Sequence, residues 1–288
     1  MAGSLGKYRP FHAHRLARSR RARDRPGKIA SNPRLQQEIR GLLKKYWSPV
    51  QICQHLRQQH PDDPSMRVVH ETIYRDLYDY RGGALPRELC RMLRTKRDRR
   101  KAPRVIARRR IRFNAALTIH DRPFAPTDRS VPGAWEGDLI MGLGNRSAIA
   151  TLVERTTRFT LLLPVDAVNR SESLRDQLVP ALAALPPELR RSITWDQGWE
   201  MARHEEISRA TGTRIYSCDP HSPWQRGSNE NTNRLLRDYF PKRTDLRTHT
   251  PKELALVAAE LNNRPRKILG WKTPNTLFTT LLEQTHHP

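Results

Sequence analysis

Three strand-like runs follow one another closely between residues 134 and 165. AWEGDLIMG begins after Pro132-Gly133, SAIATLVE spans 147–154 and RFTLLLPV spans 158–165. Short apolar runs rich in β-branched residues are typical of strands, and the short link Arg155-Thr156-Thr157 favours a hairpin between the last two. The second half of the chain is therefore predicted to begin with a three-stranded meander.

Strand and helix signals alternate after this meander. Leucines recur at helical spacing between 174 and 185, although Pro180 among them predicts a kink or an early break. We then expect a strand over SITWD (192–196), a helix over EMARHEEISRA (200–210), a strand over RIYSCD (214–219), and helices at about 227–240 and 252–262. The order βββ-α-β-α-β-α is that of a ribonuclease-H-like α/β fold, a mixed sheet with flanking helices.

Three acidic residues stand where a catalytic site on such a sheet would need them. Asp138 lies near the centre of the first strand, Asp196 ends the fourth, and Glu230 follows in a late helix after 33 intervening residues. In this topology the first and fourth strands are neighbours, so the two Asp side chains can converge under Glu230. Clustered carboxylates repel one another, and a hard cation such as Mg²⁺ relieves the repulsion while sharing phosphate oxygens of a substrate. The three acids indicate metal-dependent phosphodiester chemistry.

Each acid taken alone has an ordinary structural explanation. Asp196 in Trp-Asp-Gln-Gly could belong to a turn, and Glu230 in Asn-Glu-Asn could be an exposed helix start. Asp219 is the most serious rival because it also ends a strand, and Glu136 could share a face of its strand with Asp138. The set of three is favoured because all its members fall where the predicted fold requires them.

The first 110 residues are far more basic than the rest of the chain. They contain 29 Lys and Arg against 9 Asp and Glu, a net charge of +20, whereas the remaining 178 residues carry 24 against 20. Such an asymmetry indicates a polyanion-binding module joined to a near-neutral domain, with nucleic acid as the partner. The Arg-rich stretch at 95–112 predicts binding that weakens strongly with added salt.

Three short helices are predicted within the basic half. Leu and Ile residues form one helical face at 35–43, Ser48-Pro49 begins a second helix, and HETIYRDLYDY (70–80) begins a third. This pattern predicts a helix-turn-helix module with 70–80 as its recognition helix, in which Thr72 and Arg75 contact bases or phosphates. The connection at 60–68 is long for this motif, and a three-helix scaffold that touches no DNA is the alternative.

These patterns divide the chain into five parts. We expect a basic arm at 1–33, a helix-turn-helix module at 34–83, a basic linker with a short helix at 84–130, a ribonuclease-H-like catalytic domain at 131–280 and a tail at 281–288.

Three cysteines without CxxC spacing predict no disulfide framework or zinc site and favour a reducing compartment. The sequence shows no secretory signal and no stretch near the roughly 20 apolar residues of a membrane span, so an intracellular protein without a membrane partner is expected.

Several stretches resemble DDE transposases of the insertion-sequence-thirty family, which have an integrase-like catalytic core. They are WEGDLIMG, NRSAIATLVERTTRF, TWDQGWEMARHE, CDPHSPWQRGSNENTNRLLRDYFPK and LNNRPRKILGWKTP. The resemblance covers about residues 30–280, and WSPVQICQHL with HETIYRDLY resembles the family's second helix-turn-helix. It implies that Asp138, Asp196 and Glu230 are the catalytic metal ligands, with Mg²⁺ as the cofactor and Mn²⁺ as its substitute.

The resemblance also implies a reaction and partners. Metal-activated water would cleave DNA at the transposon ends, and the freed 3′-OH would attack target DNA. The partners would be double-stranded DNA, as terminal inverted repeats and target, and further copies of the chain in a homodimer or higher oligomer, in the bacterial cytoplasm at the nucleoid. Candidates for contacting the DNA near Glu230 are Trp224, Gln225, Arg226, Arg234, Lys242 and Arg243.

The sequence departs from the family pattern at its beginning. Family members usually start with another helix-turn-helix, and this chain resembles the segment that follows it, which predicts a truncated gene or a misassigned start. Val69 stands where a Ser often caps the HETIY helix, a loss of about 1 kcal/mol. The rival functions are a nuclease or resolvase on the same fold, a DNA-binding regulator with an inactive core, and a basic structural protein of nucleic-acid complexes.

Overall fold

The computed structural model describes residues 27–79, 83–94, 117–125, 128–196, 198–219 and 223–286, with the backbone alone at 223, 224 and 286. The chain divides into two compact units, Met1–Arg99 and Arg100–Pro288. Residues 1–26 of the predicted basic arm, and residues 95–116, 126 and 127 of the predicted basic linker, lie outside the described residues. The five-part division of the chain stays a prediction.

Three α-helices form the described part of the first unit. They are α1 (Pro33–Lys44), α2 (Pro49–Gln59) and α3 (His70–Leu77). α2 begins with a capping box, in which the side chains of Ser48 and Gln51 each bond the other residue's backbone N–H. Two 3-10 turns follow α2 and α3, at Pro64–Met66 and at Arg87–Met92. The second turn lies where the sequence predicts a short helix.

One apolar core joins the three helices. Its members on the helices are Leu35, Ile39, Leu43, Ile52, Leu56, Ile73 and Leu77. The apolar face predicted at 35–43 is therefore confirmed. Val69, which precedes α3, makes no capping hydrogen bond through its side chain, as predicted. Burial of one side of α3 stabilises this eight-residue helix in place of a cap.

A five-stranded mixed sheet forms the centre of the second unit. Its strands are β1 (Ala134–Met141), β2 (Ser147–Glu154), β3 (Thr160–Asp166), β4 (Ser192–Trp195) and β5 (Arg214–Ser217), in the order β3-β2-β1-β4-β5. β1, β2 and β3 pair antiparallel, which confirms the meander, whereas β4 pairs parallel with β1 and with β5. The first and fourth strands are neighbours, as predicted.

Helices cover both faces of this sheet. In the described residues they are α4 (Arg170–Ala183), α5 (His204–Thr211), α6 (Gly227–Leu236), α7 (Pro251–Asn262) and α8 (Pro274–His286). α4, α5 and α8 share one apolar cluster with Trp135 and Leu152 of the sheet. α6 and α7 pack in another cluster with Ile140 and Ile149. This arrangement confirms the predicted ribonuclease-H-like class. Among the described residues, no helix has the length and apolar character to cross a bilayer.

The early break that the sequence allows at Pro180 does not occur. α4 runs through Pro180 to Ala183. Leu178 and Leu182, on either side of the proline, are fully buried against the sheet. Their burial outweighs the hydrogen bond that proline cannot donate.

Two other helices differ from the sequence prediction. The helix expected at 200–210 begins only at His204, after a 3-10 turn at Trp199–Met201. α8 was not predicted at all. Its Phe278 stacks on Phe159 with ring centroids 4.1 Å apart, so a tertiary contact at the end of the chain holds this helix to the sheet.

Candidate active site

Alternate residues of β1 serve opposite faces of the sheet. Trp135 belongs to the apolar cluster with α4 and α8, whereas Glu136 and Asp138 contact α6. A Cβ at Gly137, between the two acids, would overlap the indole ring of Trp195 on β4. The Glu-Gly-Asp order therefore places two carboxylates on one face and leaves room on the other face for the ring of Trp195 against the backbone of Gly137. Glu136 does share the face of Asp138.

Asp138 is held from three directions. Its Oδ1 accepts the backbone N–H of Leu139 at 2.9 Å, and its Oδ2 accepts Nδ2 of Asn233 on α6 at 2.8 Å. Nη1 of Arg226 lies 3.3 Å from Oδ1. Burial raises the pKa of Asp138, Arg226 opposes the increase, and Asp196 adds to it. On balance the pKa of Asp138 is raised, so Arg226 does not fully offset the cost of burying the ionised carboxylate.

Asp196 follows the last residue of β4. Its Oδ2 accepts Nη2 of Arg226 at 3.3 Å, whereas its Oδ1 is buried and accepts no hydrogen bond from any described residue. Burial raises the pKa of Asp196, Arg226 opposes the increase, and Glu200 raises the pKa further. A buried carboxylate oxygen without a partner is costly, so this side chain is ready to accept another cation or donor.

Arg226 lies between the two aspartates. Besides contacting both, its Nη1 donates to the carbonyl oxygen of Gly137 at 2.9 Å, and its side chain is only 14% exposed. Burial lowers the pKa of Arg226, but Asp138 and Asp196 raise it more, and the net pKa is raised. The two carboxylates share one guanidinium cation. The predicted contact of Arg226 with DNA stays a prediction.

Glu230 lies in the first turn of α6, four residues after Arg226 and three before Asn233. Residues three and four apart share one side of a helix, so Glu230 lies on the side of α6 that contacts the aspartates. Its side chain is exposed. The described residues include no group of three or more His, Cys, Asp or Glu side chains that could hold a metal ion. Asp138 and Asp196 are brought together at Arg226, whereas Glu230 forms no three-carboxylate group with them among the described residues.

The residues present fit a hard divalent cation. All three candidates are carboxylates, which such ions prefer. Asp138 and Asp196 have pKa values raised by burial, and in the part of the chain that the structure describes Oδ1 of Asp196 has no hydrogen-bond partner. A cation bound by these oxygens would stabilise the ionised form of both aspartates and would give Oδ1 of Asp196 a partner.

A buried polar network attaches α6 to the sheet beside the aspartates. Thr151 on β2 lies opposite Asp138, and its Oγ1 is 2.8 Å from Oδ1 of Asn229 and 3.0 Å from Oδ1 of Asn233. Nδ2 of Asn229 also donates to the carbonyl oxygens of Glu136 and Thr151, at 3.1 and 3.2 Å. The sequence interpretation missed these residues. The signal that could have found them is the spacing of four between two asparagines that flank Glu230.

Asp219, the rival acid, is engaged elsewhere. Its carboxylate accepts Nε2 of Gln225 at 2.7 Å and lies 2.8 Å from the ring of His120, and its N–H donates to Oε1 of Gln225 at 2.9 Å. The hydrogen bond from Gln225, followed by that from His120, lowers the pKa of Asp219. Asp219 and the buried Gln225 therefore stabilise the connection between β5 and α6.

The other predicted DNA contacts differ in exposure. Thr72 is half-buried on α3, and the exposed residues are Arg75, Arg234, Lys242 and Arg243. The side chain of Trp224 lies outside the described residues. The four exposed side chains could meet phosphates without any rearrangement of the core.

The chain is similar in sequence to several known proteins. Residues 128–223 match the integrase core domain family. The chain is 43% identical over 282 residues to the transposase for insertion sequence element IS1086 of Cupriavidus metallidurans, covering 98% of this chain and 83% of that protein. It is 42% identical over 277 residues to the transposase InsI for insertion sequence element IS30C of Escherichia coli K12, covering 94% and 71%. The crystal structure of the catalytic core domain of BIV integrase has a TM-score of 0.42 and 17% identity, covering 54% of this chain and 99% of that one. Asp138 and Asp196 lie inside the matched integrase core, and Glu230 lies beyond it.

Proposed function

The chain belongs to the insertion-sequence-thirty (IS30) family of transposases, and from this premise we propose that its second unit cleaves DNA at transposon ends and joins the freed 3′ ends to target DNA. The observation that carries the proposal is the pair of Asp138 and Asp196. They come from adjacent parallel strands, have pKa values raised by burial, and share a single guanidinium cation. Such a pair suits phosphodiester chemistry better than a structural ion pair, because one carboxylate oxygen of Asp196 has no hydrogen-bond partner within the described part of the chain.

We assign Asp138, Asp196 and Glu230 as ligands of a divalent cation, which is Mg²⁺ with Mn²⁺ as a substitute. When bound, this cation would help to activate the attacking oxygen and to stabilise the leaving oxygen. Asn233 and the N–H of Leu139 orient the carboxylate of Asp138, and Arg226 neutralises the aspartate pair.

Arg226 has a second task in this proposal. A guanidinium binds phosphate and carboxylate with the same paired geometry. Arg226 can therefore exchange a carboxylate for a phosphate oxygen when DNA enters, which keeps its predicted role at the strand end. Thr72 and Arg75 of the first unit, and Arg234, Lys242 and Arg243 around α6, are proposed as further contacts with double-stranded DNA. The joining of two transposon ends needs at least a homodimer.

The test uses a pool of DNA ends, because the terminal repeats are to be found by the same experiment. Purified full-length protein is incubated with Mg²⁺ or Mn²⁺, a supercoiled plasmid and duplexes that carry randomised terminal sequences. Joined molecules are then sequenced. We expect covalent joining of 3′ ends to the plasmid, enriched for one terminal sequence, and no joining from duplexes that end in a 3′-deoxynucleotide.

The rival functions give different results in the same assay. A nuclease or resolvase would cut the plasmid without joining the added 3′ ends, and a DNA-binding regulator would bind and neither cut nor join. Either result with folded protein would overturn the proposal.

A further inference from the structure

Glu136 is a completely buried carboxylate that the proposed cleavage steps do not use. The residue as a whole is 0% exposed, and it lies two residues before Asp138 on the same face of β1. A buried carboxylate is costly unless it is paired and hydrogen-bonded. Its partners therefore indicate which part of the protein it serves.

The partners of Glu136 connect β1 to the start of α6. Oε2 of Glu136 accepts the backbone N–H groups of Ser228 at 2.9 Å and Asn229 at 3.0 Å. Oε1 accepts Nε of Arg155 at 3.1 Å, and both side chains are only 1% exposed. The carbonyl oxygen of Glu136 accepts Nδ2 of Asn229 at 3.1 Å.

The strand thus provides the cap that the helix itself lacks. The first N–H groups of a helix have no partner within the helix and carry partial positive charge. Arg226, at the N-cap position of α6, makes no capping hydrogen bond with its side chain. Glu136 satisfies two of these N–H groups from the sheet and fixes the distance and rotation of the first turn.

The residue that follows this anchored pair is Glu230. We propose that Glu136 is a positioning residue: it holds the first turn of α6 against β1, so that Glu230 can join Asp138 and Asp196 around the divalent cation. β1 then carries the metal ligand Asp138 and, two residues earlier, the residue that positions a second ligand, Glu230. This inference rests on the proposed function of Glu230 as a ligand.

Glu154 provides a matched control with a structural role. It is also 0% exposed, at the end of β2. Its carboxylate accepts the N–H of Gly133 at 3.2 Å, and the N–H and Oγ1 of Thr157 at 2.6 and 2.7 Å. These partners lie in loops that carry none of the proposed metal ligands. Glu154→Gln therefore removes the same charge at the same burial without removing an acceptor of the α6 N–H groups.

The experiment compares Glu136→Gln, Glu154→Gln and Glu230→Gln with the wild type in the full chain. It measures Mn²⁺ affinity by calorimetry, hydrogen exchange in peptides from 227–236, thermal stability, and kcat and KM for Mn²⁺-dependent DNA cleavage. Loss of a residue that orients a metal ligand lowers metal affinity or activity about 10-fold to 100-fold. We expect such a loss, together with faster exchange at 227–236, for Glu136→Gln and not for Glu154→Gln, although both lower the Tm.

The outcomes separate this inference from the proposed function. If Glu136→Gln and Glu154→Gln have the same Mn²⁺ affinity, exchange at 227–236 and kcat, the positioning role is overturned. If Glu230→Gln keeps wild-type Mn²⁺ affinity and cleavage, the assignment of Glu230 fails, and the positioning role fails with it. If Glu136→Gln does not fold, Glu136→Asp replaces it, because Asp keeps the charge but is shorter by one methylene; unchanged Mn²⁺ affinity and exchange in Glu136→Asp would equally overturn the role.

Discussion

The two faces of the central sheet are both buried, but they are built differently. The face toward α4, α5 and α8 is closed by apolar side chains, among them Trp135, Leu178 and Phe278. The face toward α6 has a polar centre, where β1 presents Glu136 and Asp138 to the first turns of that helix. Apolar contact stabilises without direction, whereas hydrogen bonds fix the orientation of each group. The polar face gives the carboxylates defined positions.

This difference determines what a substitution on each face should do. Removal of a large apolar side chain leaves a cavity and lowers the free energy of unfolding. Removal of one partner on the polar face leaves other polar groups unsatisfied beside the proposed metal ligands. Variants of the apolar face should therefore lose stability more than catalysis, and variants of the polar face should lose catalysis or metal affinity more than stability.

The largest effect is expected for Asp196→Asn. Charge stabilisation by a metal ion contributes several kcal/mol to a transition state, which corresponds to a loss of about a thousandfold or more in cleavage rate. Thermal stability should be kept, because burial already disfavours the charged form of Asp196. Single-turnover cleavage and thermal unfolding measure the two effects. Glu205→Gln, at an exposed position of α5, is the control, and substantial metal-dependent cleavage by Asp196→Asn would contradict the assignment.

Phe278→Ala tests the opposite face. The side chain is 3% exposed and stacks on Phe159, so its removal should lower the free energy of unfolding by about 3–5 kcal/mol. Urea unfolding measures this loss. Cleavage per folded molecule should stay unchanged at a temperature where the variant is folded. A fall in kcat without a loss of stability would show that the two faces are not separate in function.

Arg226→Gln removes the cation that the aspartate pair shares. In the absence of metal, the loss of hydrogen bonds to charged groups should cost about 2 kcal/mol of stability. Divalent metal should then raise the Tm of the variant more than that of the wild type, because both carboxylates have lost the guanidinium that contacts them. Thermal unfolding of the variant and of the wild type, with Mn²⁺ and with a chelator, measures the two rises in Tm. A smaller rise in Tm for the variant would argue against metal binding at this pair.

The smallest effect is expected at the surface of the apolar face. Glu172 on α4 accepts a 2.9 Å hydrogen bond from Nη2 of Arg203, and this bond is the main reason that its pKa falls from 4.5 to about 2. Because the folded pKa is lowered, the stabilisation is present above about pH 4.5 and is lost as the pH falls toward 2. Glu172→Gln should lower stability at neutral pH by far less than Phe278→Ala, and this difference from the wild type should shrink in acid. Urea unfolding of both proteins at neutral and at acidic pH measures this difference. A difference in stability that grows in acid would contradict the lowered pKa of Glu172.

The parts of the fold that depend on local pattern were predictable from the sequence. The meander, the neighbouring positions of β1 and β4, and the face that Glu136 shares with Asp138 follow from strand periodicity and from the order of the elements. α8 and the passage of α4 through Pro180 were not predictable in this way. Both depend on burial against parts of the sheet that are distant in sequence, and local propensity carries no information about such contacts.

The candidate site was predictable in its residue types but not in its contacts. Spacing and strand position identified Asp138, Asp196 and Glu230. The sequence marked Arg226 as basic and close to Glu230, but it could not indicate which anion the guanidinium faces. That depends on the approach of α6 to β1 and β2, where Asn229 and Asn233 bond Thr151 and Asn229 bonds the carbonyl oxygen of Glu136.

The location of a bound metal ion tests the central claim most directly. Crystals of the protein with Mn²⁺ and a DNA end would be measured at the manganese absorption edge, for the wild type and for Glu230→Gln. The expected result is an anomalous peak coordinated by Asp138, Asp196 and Glu230 in the wild type, weakened or absent in the variant. A peak elsewhere, such as beside Asp219, or an undiminished peak in Glu230→Gln would contradict the assignment.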